Sequence, residues 1–535
     1  MTEELKLGQL DIGKEDCKNE LLSYNGKKKE KFQSSFLLPE NVDIDKFLEP
    51  TKFEYYFIKG LKGVGKTSLL RYIGLQIDTK TEGWLKYSYS SLILFKDFRD
   101  DRLEIAKLAD NITRFQEDEL KRTRIPDYTL LWDFFIHKHI VMTIERKNIN
   151  IFKNDVYWES YYACVKSTIF KDEIHIIPKF LKGLIEVSAE FPTIFANLHI
   201  KIHLPDKTKE ENLNLRNEKI LVKFEELVTN MNRLFKSLTH AKDYLYILFD
   251  ELELSPFPHK AHVRDSRFIR DLISTIERFN AIARGQNGGV FLIAAIRIEV
   301  LDSLEAIGRE INRLCRDQAI EISWTNKNKD LRKHPILKIL EKRIQAAEIA
   351  YDGKIHTPDV WQGYFPEKID GIEARKFILF QTWYKPRDII RLLSIAQESY
   401  PLENMFSQEV FDSVLKKYSK ESWMEISEEL RNQYNTRELD IIRKLFFGYE
   451  RDFTFLQLSK HIEKQRMRNV EIDRFFHKHK LENFLDDLYN VGILGNSWWS
   501  DNKKHYDFVY TGSPNIIRNK KIIVHRGLWP YLGIG

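Results

Sequence analysis

A short β-type run rich in aromatics from Phe53 to Lys59 breaks at Gly60 and gives way, from Ser68 to Ile73, to apolar residues at helical spacing. Between them lies Gly60-Leu61-Lys62-Gly63-Val64-Gly65-Lys66-Thr67, an instance of G-x-x-x-x-G-K-[ST]. This order of strand, glycine loop and helix points the chain toward an α/β sheet. It restricts the chemistry as well. Glycines let backbone N–H groups turn inward around phosphate oxygens, where a side chain would collide. The helix that starts here aims the positive end of its dipole at the same phosphates. Lys66 is expected to bridge β- and γ-phosphates and the Thr67 hydroxyl to ligate Mg²⁺, with Gly60 through Ser68 as the binding segment.

Further apolar runs follow. Ser91 to Phe95, Tyr244 to Phe249 and Val290 to Ile296 show almost no alternation, as expected of strands covered on both faces. Helical spacing over Ser266 to Arg284 and over 299–316 separates the later runs, and Ala319 to Trp324 is a further expected strand. Strands alternating with helices imply a parallel sheet. Residues 100–240 are mostly helical in pattern, with apolar recurrence around Leu131, Phe134, Phe135, Ile140 and Ile144. Beyond about 327 the strand signals stop. Near the end come helical segments at 437–448, 456–465 and 477–490, a tryptophan-bearing turn from Trp498 to Lys504, and an alternating run from Tyr506 to Tyr510. Three helices followed by a hairpin outline a winged helix. The expected fold class is α/β: a P-loop NTPase parallel sheet with a large helical insertion, a helical lid and a C-terminal winged helix. Its segments are a lead-in over 1–50, a core over 51–326 with the insertion at about 100–240, the lid over 327–425 and the winged-helix-like domain over 426–535.

Composition bounds the alternatives. A chain of 535 residues that is 43% hydrophobic and 13% aromatic has the material for several cores, which excludes wholesale disorder. With 85 basic and 79 acidic residues the net charge is +6, so local patches rather than bulk charge decide any nucleic-acid binding. The lysines at 27, 28, 29 and 31 read as a solvated loop. Cys17, Cys164 and Cys315 are far apart and form no CxxC, which argues against a disulfide framework or a structural zinc site. The acidic start lacks signal-peptide order, and runs such as Phe291 to Ile296 fall short of the roughly 18 residues that span a bilayer. A cytoplasmic chain with no membrane partner is expected.

Asp250-Glu251 follows the buried run ending at Phe249. A carboxylate at a strand end can hold a metal through its water shell, and the neighbouring glutamate can polarise a hydrolytic water. Asp250 is therefore the expected metal residue and Glu251 the expected base, with Glu253 as the alternative. Three arginine positions are candidates for sensing or neutralising phosphate charge. Arg297 follows the run Val290 to Ile296; Arg313 and Arg316 end the helix before Ala319; Arg387 lies in Trp383-Tyr384-Lys385-Pro386-Arg387 at a helix start. Near the C-terminus, Lys503, Lys504, Arg518, Lys520, Lys521 and Arg526 favour an anionic partner, whereas Glu482, Asp486 and Asp487 oppose one.

This order of parts resembles the AAA+ and STAND branch of P-loop ATPases, and within it a family of bacterial stand-alone P-loop ATPases found in defence-gene neighbourhoods. The likeness rests on Gly60 to Thr67, Ile296 to Leu301, Ile320 to Trp324 followed by Leu340 to Ile344, and Val524 to Leu528. It implies ATP-driven switching or oligomerisation that controls a partner. Two features depart from the pattern. Thr67 and Asp250 are 183 positions apart, which calls for an insertion, and Arg297 stands where a small polar residue is usual.

The leading expectation is an ATP-hydrolysing regulatory switch in antiviral defence, with ATP and Mg²⁺ bound and a second copy or a separate effector protein as partner. ATP is preferred over GTP because no guanine-reading Asn-Lys-x-Asp stands at the needed spacing. One alternative is a DNA-binding AAA+ loader that grips nucleic acid through its C-terminal domain. Another is a nucleotide-holding scaffold without hydrolysis.

Overall fold

The computed structural model describes residues 5–17, 26–79, 82–95, 128–166, 213–254, 259–285, 288–305, 311–324, 330–431, 433–500, 503–513 and 515–535. They fall into two units. One contains residues 41–61 and 66–322; the other contains 1–40, 62–65 and 323–535.

The first unit is built on five strands: β1 (Phe57–Gly60), β2 (Ser88–Leu94), β3 (Tyr244–Leu252), β4 (Val290–Arg297) and β5 (Ala319–Glu321). They pair in the order β2-β3-β4-β1-β5, every pair parallel. This α/β architecture around a central parallel sheet is compatible with a P-loop-like fold. Burial explains the apolar runs: Leu245 to Phe249 and Val290 to Ile296 are almost entirely withdrawn from solvent. The helix Lys66–Thr79 lays Leu69, Leu70, Ile73 and Ile77 into the core. A Cβ at Gly74 would sit 3.1 Å from Leu248 and 3.5 Å from the Ser90 hydroxyl, so a glycine lets this helix approach the sheet.

The helix His259–Gly285 packs against β4. Leu292 precedes the first residue of β4 that β1 reaches, and the Asn280 carboxamide satisfies its backbone N–H and carbonyl, each at 2.8 Å. Within the expected insertion, Thr129–Lys147, Val156–Lys166 and Leu213–Ser237 are helices; 96–127 and 167–212 lie outside the described residues.

In the second unit the lysine cluster is not a loop: it belongs to the helix Gly26–Ser35, with Lys31 paired to Asp11 at 2.8 Å. The helices Pro335–Asp352, Ala374–Gln381, Pro386–Ser399 and Gln408–Leu430 follow. Strands do not wholly stop after 327. β6 (Lys368–Ile369) and β7 (Ile372–Glu373) form an antiparallel pair whose two-residue turn, Asp370-Gly371, has positive φ at both positions (50° and 68°).

Toward the C-terminus the helices Thr436–Phe446, Phe455–Arg466, Val470–Lys478 and Leu481–Asn490 follow. The side chains of Asn435, Thr454 and Asn469 cap the first three. Where one helix was expected over 477–490 there are two, separated by extended backbone at His479 and Lys480. The His479 ring turns to Glu438 at 3.1 Å and packs on Phe475 and Tyr434. β8 (Asp452–Phe453), β9 (Leu494–Ser500), β10 (Lys503–Asp507) and β11 (Lys521–Val524) complete an antiparallel sheet in the order β10-β9-β11-β8. Among the described residues no helix is long and apolar enough to cross a membrane. All three cysteines are buried and in no disulfide.

Candidate functional site

The carboxyl ends of three adjacent strands, β3, β4 and β1, carry most of the candidate residues, the place where open α/β sheets bind ligands. β1 ends at Gly60, which pairs across to Arg297 at the end of β4. The loop turns through positive φ at Gly63 (82°) and Gly65 (106°). A Cβ at Gly65 would meet nothing within 4 Å, so the left-handed backbone, not space, calls for glycine there. Lys66 is buried, and its ammonium donates to the carbonyls of Gly60 at 2.8 Å and Leu61 at 2.7 Å.

The Thr67 hydroxyl donates to Asp250 Oδ1 at 3.1 Å, joining residues far apart in the chain. Asp250 is 3% exposed, and its Oδ2 is buried with no hydrogen-bond partner among the described residues. Burial pushes the Asp250 carboxyl above its ordinary value; the Glu251 N–H, Arg71, the Thr67 hydroxyl and Lys66 oppose that shift.

A bulge positions this aspartate. Phe249 pairs with Ala294 and Leu252 with Ile296, so three steps along β3 match two along β4. Asp250 and Glu251 therefore lie inside β3 instead of after it, and Glu251 takes φ 60°, a strained conformation for a side chain of this size. Bulges re-aim side chains next to functional sites. Here the Glu251 N–H donates to Asp250 Oδ1 at 2.9 Å, while Asp250 keeps its pairing with Leu94 of β2. Glu253, the alternative base, is ion-paired with Arg297. Arg313 and Arg316 are exposed on the short helix Ile311–Asp317 ahead of β5.

Residues Lys62 to Gly65, the tip of the loop, belong to the second unit. A Cβ at Gly63 would lie 3.4 Å from the Lys385 side chain and 3.5 Å from that of Arg387, ordinary contact distances, so the left-handed backbone is what calls for glycine there. The Val64 carbonyl accepts from the Trp324 indole at 2.8 Å. Lys62 pairs with Glu428 at 3.1 Å and stands 3.7 Å from Glu425. Arg387 pairs with Glu425 at 2.9 Å, and Arg391 with Glu425 and, at 2.9 Å, with Glu15. Burial acts against the Glu425 charge, but Arg391, Arg387 and Lys62 hold the carboxyl well below the usual range.

The approach to Arg387 is fixed from the C-terminal segment. Trp383 stacks on His525 (3.9 Å between ring centres) and donates its indole N–H to the Gly492 carbonyl at 2.8 Å. The next residue, Tyr384, has φ 52°. His525 accepts from the Gly527 N–H at 3.1 Å, and a Cβ on Gly527 would strike the Gln381 carbonyl at 2.4 Å. The segment Val524 to Leu528 thus holds the turn that leads into Arg387.

Thr67 and Asp250 are brought together by the fold, as are Arg387 and Gly63. Sequence reasoning missed Trp324 as a partner of the loop, the Arg297–Glu253 pair and the role of Glu425 as a shared counter-ion. The spacing of Arg387 and Arg391, four residues apart on one helix, is the local signal that could have pointed to a common acidic partner.

Residues 334–427 match the FunZ-associated C-terminal helical domain. The matched stretch contains Arg387, Arg391 and Glu425 and fits a defence-associated protein. No curated protein matches the chain.

Proposed function

We propose that this chain is an ATP-hydrolysing regulatory switch that controls a partner or its own assembly in bacterial antiviral defence. One observation carries it: the Thr67 hydroxyl and Asp250 Oδ1 meet at 3.1 Å while Asp250 Oδ2 is buried without a hydrogen-bond partner among the described residues. A hydroxyl beside a buried, incompletely satisfied carboxylate fits a hard divalent cation such as Mg²⁺. When bound, that ion neutralises phosphate charge.

The chain's own residues then have distinct tasks. Backbone N–H groups from Gly60 to Ser68 hold phosphate oxygens, and the Lys66 ammonium exchanges the loop carbonyls for them. Thr67 and Asp250 hold the cation. Glu251 takes the proton of the hydrolytic water, because Glu253 is bound to Arg297. Arg387 neutralises charge at the terminal phosphate, a role supported by its side chain lying against Gly63. Residues 327–425 serve as the helical lid and 426–535 as a winged helix, supported by the β9–β10 hairpin that follows a run of helices. The defence setting draws on the match at 334–427.

A second reading, DNA binding through the C-terminal domain, is favoured by Trp499 (70% exposed), Tyr506 and Lys503 on the same hairpin. Other cations there are engaged: Lys504 and Lys521 pair with Asp452, and Arg518 with Asp486. Phosphate release by the parent, Lys66→Ala and Glu251→Gln, with and without duplex DNA, separates the two. Turnover lost in both variants and indifferent to DNA is expected. Strong stimulation by DNA puts the second reading first, and turnover unchanged in Lys66→Ala contradicts both.

A further inference from the structure

The loop tip carries a cation that the phosphate motif does not require, Lys62, and its side chain is only 12% exposed. It pairs with Glu428 at 3.1 Å and shares a second acidic neighbour. The Glu425 carboxylate stands 3.7 Å from Lys62 and 2.9 Å from Arg387 through Oε1, and holds Arg391 through Oε2. One carboxylate thus faces three cations. Lys62 precedes Gly63 in the loop, and Arg387 lies against that same glycine. Arg391 is nearly buried and is also bound by Glu15 at 2.9 Å and Asp388 at 3.7 Å.

The geometry points to Glu425 as a built-in competitor of the terminal phosphate, the residue that makes the loop discriminate triphosphate from diphosphate. This rests on the nucleotide-binding reading above. Carboxylate and phosphate oxygens recognise a guanidinium in the same way, so the Arg387 edge that Glu425 occupies is the one a phosphate would claim. A terminal phosphate takes Arg387 and Lys62 away from Glu425. Stripping a half-buried carboxylate of every partner would be strongly unfavourable. Arg391 prevents that, because it stays on Oε2 and keeps the charge compensated. A diphosphate lacks the terminal group and leaves the Glu425 contacts in place. Glu425 lies on the helix Gln408–Leu430, so the exchange releases the hold of that helix on the loop tip and passes nucleotide state into the domain matched at 334–427.

The test is a double-mutant cycle read by equilibrium titration of ATP and of ADP into the parent, Glu425→Gln, Arg387→Ala and the double variant. Glu425→Gln is expected to tighten ATP about tenfold and to change ADP by less than about twofold. In the Arg387→Ala background the same substitution should change ATP by no more than about twofold. Equal ATP affinity in parent and Glu425→Gln, or equal tightening of ATP and ADP, overturns the proposal. ATP binding that is abolished by Lys66→Ala but indifferent to Glu425→Gln overturns the role of Glu425 alone. A parent that binds neither nucleotide overturns the nucleotide-binding reading and this proposal with it. If Glu425→Gln does not fold, Glu428→Gln replaces it, since that side chain is 59% exposed. It should tighten ATP about two- to threefold by freeing Lys62, and Arg387→Ala, which removes the phosphate's side of the exchange, should weaken ATP at least about tenfold with ADP changed less than about twofold; equal loss for ATP and ADP contradicts the proposal.

Discussion

Asp250 shows how a single carboxylate can be both buried and unfinished. Its Oδ1 accepts from the Thr67 hydroxyl and the Glu251 N–H, while its Oδ2 has no hydrogen-bond partner among the described residues. Burial disfavours the ionised form, and a cation at this point would favour it. Asparagine keeps the shape and an acceptor but removes the charge. Asp250→Asn should therefore fold as well as the parent yet need at least about ten times more Mg²⁺ to support ATP binding. A magnesium titration at fixed ATP measures this, and an unchanged midpoint contradicts it. At this scale the glycine loop with Lys66 and Thr67 is legible as a motif because its residues are local in sequence. The bulge at Glu251 is not, since it depends on the register against β4, and neither is Glu425, which meets Arg387 from another helix.

Among the elements, the alternation of buried strands and helices made the parallel sheet legible, while boundaries shifted. β3 extends to Leu252, three residues beyond the apolar run, because a bulge absorbs Asp250 and Glu251 without ending the strand. The β6–β7 hairpin carried a usable signal in Asp370-Gly371 that a search for long strands passes over. The turn before Pro386 depends on ring contacts across the chain, above all Trp383 on His525. Burial lowers the His525 pKa to about 3 from an ordinary 6.5, so the folded chain keeps this ring neutral. The unfolded chain takes up the proton first as pH falls. Stability from this group is complete above about 6.5 and is lost progressively toward 3, at roughly 1.4 kcal/mol per pH unit. His525→Asn keeps an acceptor for the Gly527 N–H but does not titrate. Its stability deficit against the parent should narrow by about 2 kcal/mol between pH 7 and 4.5. Chemical denaturation at the two pH values reads it, and a constant gap contradicts it.

At the scale of the whole molecule, the division of the glycine loop stands out: Gly60, Leu61 and Lys66 onward belong to the sheet unit, Lys62 to Gly65 to the helical unit. Composition and spacing carried no trace of this. Nor did they show that residues 1–40 join the second unit. That grouping depends on backbone bonds from Leu7 to Glu403 (2.7 Å) and Gly8 to Pro401 (2.9 Å), and on Arg343 reaching the Ile12 carbonyl at 2.7 Å. Such pairings join chain positions hundreds of residues apart, beyond the reach of any periodicity. The proposed switch is one worked by a nucleotide held on this loop. Everything in that proposal depends on the loop holding a nucleotide. The most direct test is equilibrium binding of ATP in Mg²⁺ to the parent chain and to Lys66→Ala. One ATP per chain, weakened at least about a hundredfold by the substitution, is the predicted result; no binding by the parent, or equal binding by both, would contradict it.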